Sequence, residues 1–320
     1  GADVICLLIR QCKLFIMKIL VTGGAGYKGT VLTRKLLEQG YDVTLLDNFM
    51  YGYEPVMHLA NNPKLTIIKH DIRNGIPDMA KYDVIFHLAG ISGFPACASN
   101  PHSAQLINVE AIRLIARDLS HGQMLINAST TSMYGKSGMP CNEETAVDPV
   151  STYAQTKLAA EEILHDRENV VSLRFATVFG FSTRMRMDLM INDFVYKAVK
   201  ERVIVLFDSF AKRTFIHVED AADCYIFTMK NFDRMRSNVF NAGVNNLNFS
   251  KEEIAQKIKN KVDFSIINSE VKDKDLRHFI VNFDKIAGLG FKPARTVEDG
   301  IDELLRIYSF YEYYSHFRTI

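Results

Sequence analysis

The apolar run Lys18-Ile19-Leu20-Val21 ends in Thr22-Gly23-Gly24-Ala25-Gly26-Tyr27-Lys28-Gly29, and the residues after it, Val31 to Gln39, return to an apolar repeat of helical period. Gly40 stops that helix, and Asp42 to Leu46 reads as a second strand closing on Asp47. Strand, glycine turn, helix and strand within about thirty residues make a βαβ unit, which commits the chain to a parallel sheet. Glycines at 23, 26 and 29 let the backbone turn sharply and approach a ligand closely. The free N–H groups and positive end of the helix behind them attract a diphosphate. A glycine-rich turn by itself is also ordinary loop structure. Its place between strand and helix, with an acid at the next strand end, points instead to a dinucleotide site.

Asp47 lies about eighteen residues past Gly29, the distance at which a carboxylate accepts hydrogen bonds from an adenosine ribose. Asn48, Phe49 and Met50 follow it and supply no arginine for a 2′-phosphate, so NAD is expected rather than NADP. The competing reading is that Asp47 only caps the next element. Tyr27 and Lys28 sit inside the turn. Lys28 either approaches the cofactor phosphates or snorkels to solvent.

Further strands read at Leu65 to Lys69, Val84 to His87, Met124 to Ala128 and Val170 to Phe175, with helical stretches between most of them. The alternation predicts an α/β fold, a doubly wound parallel sheet (Rossmann) with a smaller C-terminal substrate-binding lobe. Residues 17–180 are expected to form the cofactor-binding domain and 181–320 the lobe, with Glu219 to Met229 returning to the first domain. In the lobe, Asp188 to Glu201 and Lys251 to Lys261 read as helices, and Val203 to Phe207 and Thr214 to Val218 as strands. Residues 1–16 read as an extension outside the native reading frame or as a small added element. Their apolar patches are too broken to span a bilayer.

Thirty-eight basic against 37 acidic residues give a net charge of +1, which provides no global field for nucleic acid or an anionic membrane; neither is an expected partner. The five scattered cysteines contain no C-x-x-C pair and fit a reducing, cytoplasmic location. The nine histidines show no metal-ligand spacing, so no metal is expected.

Tyr153 and Lys157 are four residues apart in a helical segment and share one face. A nearby ammonium stabilises a phenolate, which makes a tyrosine of ordinary pKa about 10 usable as a base. The motif is common by chance in helices. Ser129-Thr130-Thr131-Ser132 follows a strand and brings hydroxyls to the carboxyl edge of the sheet, where ligands bind. Such a run also satisfies its own backbone in turns.

Taken together these residues resemble the extended short-chain dehydrogenase/reductase family, whose members include UDP-glucose 4-epimerase and the nucleotide-sugar 4,6-dehydratases. The likeness runs from Met17 to about Leu305. It implies that Thr130, Tyr153 and Lys157 are the catalytic trio, with Tyr153 and Lys157 also touching the cofactor. It implies further that Asp71 and Ile72 border the adenine, that His87-Leu88-Ala89-Gly90 lines the cofactor ribose, and that Asn108 is the family asparagine of the next helix. Arg174 to Gly180, which contains Thr177, matches the segment after the catalytic helix, and Arg213 matches an arginine on the substrate phosphate. Gly93 to Cys97 and Arg184 to Phe194 are similar to a bacterial branch that includes GDP-heptose 4-dehydrogenases. That likeness sets Arg186, Asp188 and Leu189 against the substrate. Arg277 is a further candidate, as a forked donor suited to a diphosphate, against the ordinary reading of a lone arginine as a solvated surface charge.

The implied activity is NAD-dependent oxidation at C4 of a nucleotide-diphosphate sugar, by a 4-epimerase or 4-dehydrogenase acting as a homodimer. Two departures qualify it. Thr130 is followed by Thr131 and Ser132 where 4,6-dehydratases carry acids, which argues against water elimination; Thr177 replaces an asparagine found in many epimerases. An NAD-sensing protein without catalysis is the remaining alternative, and the three retained catalytic residue types oppose it.

Overall fold

Seven parallel strands form the central sheet: β1 (Lys18–Thr22), β2 (Asp42–Asp47), β3 (Leu65–Lys69), β4 (Val84–His87), β5 (Met124–Thr130), β6 (Val170–Phe175) and β7 (Asn238–Ala242). Their spatial order is β7-β6-β5-β4-β1-β2-β3, so the direction of winding reverses between β1 and β4. Ligands bind at such a switch point, beyond the carboxyl ends of the strands. The computed structural model describes residues 17–137, 139–273 and 277–312. The N-terminal extension and Tyr313 and Tyr314 of the aromatic tail lie outside the described residues.

The inner strands β1, β4, β5 and β6 are buried on both faces, and their period of two divides the core. Ile19 and Val21 of β1, with Val84 and Phe86 of β4, join one apolar cluster; Leu20 and Ile85 join the opposite one. On the first face lie α1 (Tyr27–Glu38), burying Val31, Leu32, Leu36 and Leu37, and α4 (Val218–Lys230), which packs on it through Ala221, Ala222 and Tyr225. On the second face Ile112 and Ile115 meet Ala160 and Leu164 of α2 (Thr152–Leu164). Each such aliphatic side chain contributes about 1.5–3 kcal/mol by leaving water.

After β6 the chain leaves the sheet. A second core gathers Ile191, Phe194 and Val195 of α3 (Met190–Lys200), Ile204 and Leu206, and Ile301 and Leu304 of α5 (Val297–Tyr308). Helix α3 begins two residues later than the sequence pattern suggests, because Asp188 is drawn into a pair with Arg186 and Leu189 is extended. The chain then rejoins the first core at α4 and supplies the edge strand β7, parallel to β6. Tyr308 of the aromatic tail is fully buried in the second core, whereas Phe310 is exposed. Among the described residues, no helix is long and apolar enough to cross a membrane.

The glycine turn owes its shape to two contacts. Gly23 has φ +68, and a Cβ there would stand 2.6 Å from the Ala89 nitrogen. Any side chain at Gly29 would overlap the carbonyl oxygen of Gly23, which is backbone and cannot step aside. Gly29→Ala should therefore destabilise the protein by about 1–3 kcal/mol. Urea denaturation measures this, and an unchanged midpoint would show that the turn relaxes freely.

Candidate active site

Two hollows open at the carboxyl edge of the sheet and meet at Gly23, Gly26, Tyr51, Leu88 and Gly90. The smaller, of about 100 Å³, is bordered by Asp47, Asn48, Asp71, Ile72 and Ala89. The larger, of about 430 Å³, runs past Tyr27, Lys28 and Gly29 to Thr130 and Tyr153, and on between the two cores. Glycine turn and catalytic candidates thus share one continuous cleft.

At the first end, Asp47 accepts hydrogen bonds from the Ala25 and Phe49 backbone N–H groups at 3.0 and 2.9 Å, so it braces the glycine turn while still lining the hollow. These bonds are compatible with the expected ribose contact, since each carboxylate oxygen has a second lone pair. Burial raises its pKa, and the backbone N–H donors oppose that rise. Asn48 is exposed and accepts from the Met50 N–H. Asp71 accepts from the backbone and guanidinium of Arg73, which hold its carboxyl below the usual range.

Gly26 caps α1 without any side-chain hydrogen bond, leaving the first-turn N–H groups of a twelve-residue helix beside the cleft. That is the donor set a diphosphate requires. With Asp47 at one end and Tyr153 at the other, the residues present fit a dinucleotide.

Lys28 does not snorkel. Its ammonium lies 4.0 Å from the centre of the Phe175 ring and donates to the Tyr225 hydroxyl at 3.1 Å. Burial, with the neighbouring charge of Lys157, lowers its pKa to about 7.

Helix α2 is capped by Ser151, whose hydroxyl accepts from the Ala154 N–H, and this fixes where Tyr153 and Lys157 point. The Lys157 ammonium donates to the Ala128 carbonyl at the end of β5 at 2.9 Å. Burial brings its pKa down to about 8. Burial raises the pKa of the Tyr153 phenol, and the neighbouring hydroxyls of Ser92 and Thr130, with the charge of Arg186, oppose the rise. Arg186 is thus a cation that acts on the phenol, while the Lys157 ammonium is bonded to a carbonyl.

Of the hydroxyl run after β5, Ser129, Thr130 and Ser132 border the cavity and Thr131 does not. The Ser129 hydroxyl donates to Glu161, and Thr131 donates to the Phe175 carbonyl at 3.1 Å. Thr130 also accepts from the Ser132 N–H, and Ser132 accepts from Arg277 at 2.7 Å. Neither the structural nor the catalytic reading alone describes this segment.

Asn108 does not border either hollow. It is buried, donates to the Ile91 carbonyl and the Thr156 hydroxyl, and accepts from the Ile91 N–H. It thereby pins the loop after β4 to α2.

Thr177, Arg186, Asp188, Leu189, Arg213 and Arg277 all border the larger cavity. Arg186 and Asp188 form a partly buried pair at 2.5–2.7 Å. Arg213 is 1% exposed and donates to the carbonyls of Lys212 and Arg277. Among the described residues, seven basic side chains and three carboxylates line this cavity, so a nearly neutral chain concentrates positive charge here. Sequence reasoning missed Ser92, Tyr51, Lys197 and Lys251 here. They come from separate loops and helices, and no spacing relates them to the motifs. The Arg184 guanidinium, 4.1 Å from the Tyr51 ring centre, joins the lobe to the cofactor side.

The model of the NAD dependent epimerase/dehydratase family matches residues 19–243. An uncharacterised UDP-glucose epimerase, YtcB, of Bacillus subtilis is 32% identical over 227 residues, 64% of this chain and 70% of that protein. UDP-glucuronic acid decarboxylase 1 of Danio rerio is 25% identical over 306 residues, 91% of this chain and 72% of that one. Among solved structures, UDP-glucuronic acid 4-epimerase of Bacillus cereus, in complex with UDP-glucuronic acid and NAD, superposes with a TM-score of 0.79 at 23% identity. The match covers 92% of this chain and 99% of that one. At that identity the likeness speaks for the fold. The family match, spanning the whole central sheet from β1 to β7 and agreeing with the bacterial relative, carries the assignment: the chain belongs to the NAD dependent epimerase/dehydratase family.

Proposed function

We propose that this protein oxidises the C4 hydroxyl of a nucleotide-activated sugar with NAD, as a 4-epimerase or 4-dehydrogenase. The observation that carries the reading is the meeting of Tyr153, Thr130 and Ser92 in the cavity that begins at the glycine turn and continues between basic side chains. Bound NAD supplies the hydride acceptor. Tyr153 takes the hydroxyl proton, and Thr130 donates a hydrogen bond to the same oxygen as charge develops on it. Lys157, anchored on the Ala128 carbonyl, keeps a positive charge behind the site. Arg213, Arg277 and Arg186, all bordering the cavity, supply forked donors that suit a diphosphate. In this reading residues 17–180 hold the cofactor and most of 181–320 forms the substrate lobe.

Water elimination at C5 and C6 fits less well. Thr131 and Ser132, where that chemistry needs acids, are hydroxyls already bonded to the Phe175 carbonyl and to Arg277.

The test is a panel of UDP-, GDP- and dTDP-sugars, including UDP-glucuronic acid, with absorbance at the NADH band, sugar stereochemistry and carbon dioxide release followed together. Inversion at C4 without net NADH identifies an epimerase, and a ketone with stoichiometric NADH a dehydrogenase. Loss of carbon dioxide would move the protein to the chemistry named for its decarboxylase relatives. No change in any sugar, with NAD bound, would overturn the proposal.

A further inference from the structure

Lys28 is a charged side chain inside the glycine turn that the proposed chemistry does not use. It borders the larger cavity, with Tyr153, Thr130 and Phe175, and not the hollow around Asp47 and Asp71. If Asp47 marks the adenosine end of a bound dinucleotide and the turn its diphosphate, the end that lies beside Lys28 is the reactive ring. The ammonium is held from two sides: it sits over the Phe175 ring of β6 and donates to the Tyr225 hydroxyl of α4. No ion-pairing carboxylate appears among the groups that act on it. Those groups are Lys157 on α2, Cys224 beside Tyr225 on α4, and Arg186 ahead of α3. Its charge is thus offset by an aromatic face and a hydroxyl, and its field extends into the cavity.

We infer that Lys28 biases the site toward reduced over oxidised cofactor, so that electrons taken from the sugar are retained in the cleft. The physical reason is a difference of charge. The oxidised nicotinamide ring is positive and the reduced ring is neutral, so a fixed cation nearby repels only the first. Two cations, Lys28 and Lys157, then act on the ring from the two helices that flank the sheet. The consequence suits an enzyme that must keep its hydride until the sugar ketone has turned over, and it favours the epimerase outcome within the proposed function. The inference rests on the proposed NAD site.

The experiment measures the dissociation constants of NAD and NADH by calorimetry for the wild type, Lys28→Met and Lys28→Arg. The expected result is that Lys28→Met tightens NAD relative to NADH by about tenfold, the size of one charge–charge interaction at moderate distance in a partly shielded site. Lys28→Arg, which keeps the charge, should keep the wild-type ratio. The wild type supplies a check that needs no substitution. With a Lys28 pKa of about 7, the preference for NADH should weaken as pH rises from 6 to 8, and the pH dependence over that range should shrink in Lys28→Met. What remains would belong to Lys157, whose pKa is about 8. An unchanged NAD/NADH ratio in Lys28→Met overturns the inference while leaving the NAD site intact. Failure of the wild type to bind either form overturns the NAD site itself, and the inference with it.

Discussion

Tyr153→Phe is expected to lower kcat by about 10²–10⁴-fold, the usual worth of a positioned proton-transfer group, while NAD still binds. The substitution removes one oxygen from an enclosed site and keeps the ring, so α2 and the floor of the cleft should stand. The pH profile gives the sign. Burial holds the phenol above its ordinary value, so the fraction of base is small at neutrality and increases as pH rises. Wild-type kcat/KM should therefore climb on the alkaline side, and the residual rate of the variant should lack that limb. Single-turnover kinetics with a reactive nucleotide sugar separates binding from chemistry here. A variant that keeps wild-type kcat would remove Tyr153 from the role of base.

Glu161→Ala should cost about 3–5 kcal/mol of folding stability, the largest effect anticipated away from the cleft. Glu161 and Arg174 are paired at 2.7 Å with side chains only 7% and 8% exposed. Glu161 also accepts from Ser129, and Arg174 donates to the Tyr134 hydroxyl, which in turn donates to Asn241 of β7. The network therefore ties α2 to β5, β6 and β7 directly behind the hydroxyl run. Removing the carboxylate leaves the Arg174 charge buried with only the tyrosine oxygen for a partner, and the uncompensated charge accounts for most of the penalty. Guanidinium denaturation of the wild type, Glu161→Ala and Glu161→Gln tests it. Glu161→Gln should fall between the other two because it still accepts one hydrogen bond. A loss below about 1 kcal/mol for Glu161→Ala would mean that water or a rearranged side chain reaches Arg174 easily.

The two groups differ in how visible they are from sequence. Tyr153 and Lys157 are separated by one helical turn, so local geometry alone brings them to one face. Glu161 and Arg174 carry no such mark: their pairing depends on α2 lying across the edge of β5 and β6.

The same division runs through the whole protein. Local rules determined the βαβ unit, because the glycines, the helical repeat and the strand end at Asp47 act over a few residues. They also determined the parallel sheet, since strands alternating with helices have one economical arrangement. Only the tertiary structure decided what each polar group does with its hydrogen bonds. Lys28 and Tyr225 are 197 residues apart, and nothing near Lys28 in sequence foretells that its ammonium turns inward. Asn108 reaches Ile91 and Thr156, 17 and 48 residues away, and so becomes a brace between loop and helix. Ser92 and Tyr153 line one cavity only because β4 ends, and α2 begins, at the same edge of the sheet. The physical reason is one of range. Backbone conformation answers to neighbours along the chain, whereas the partner of a buried charge or hydroxyl is whatever the folded sheet carries into contact with it.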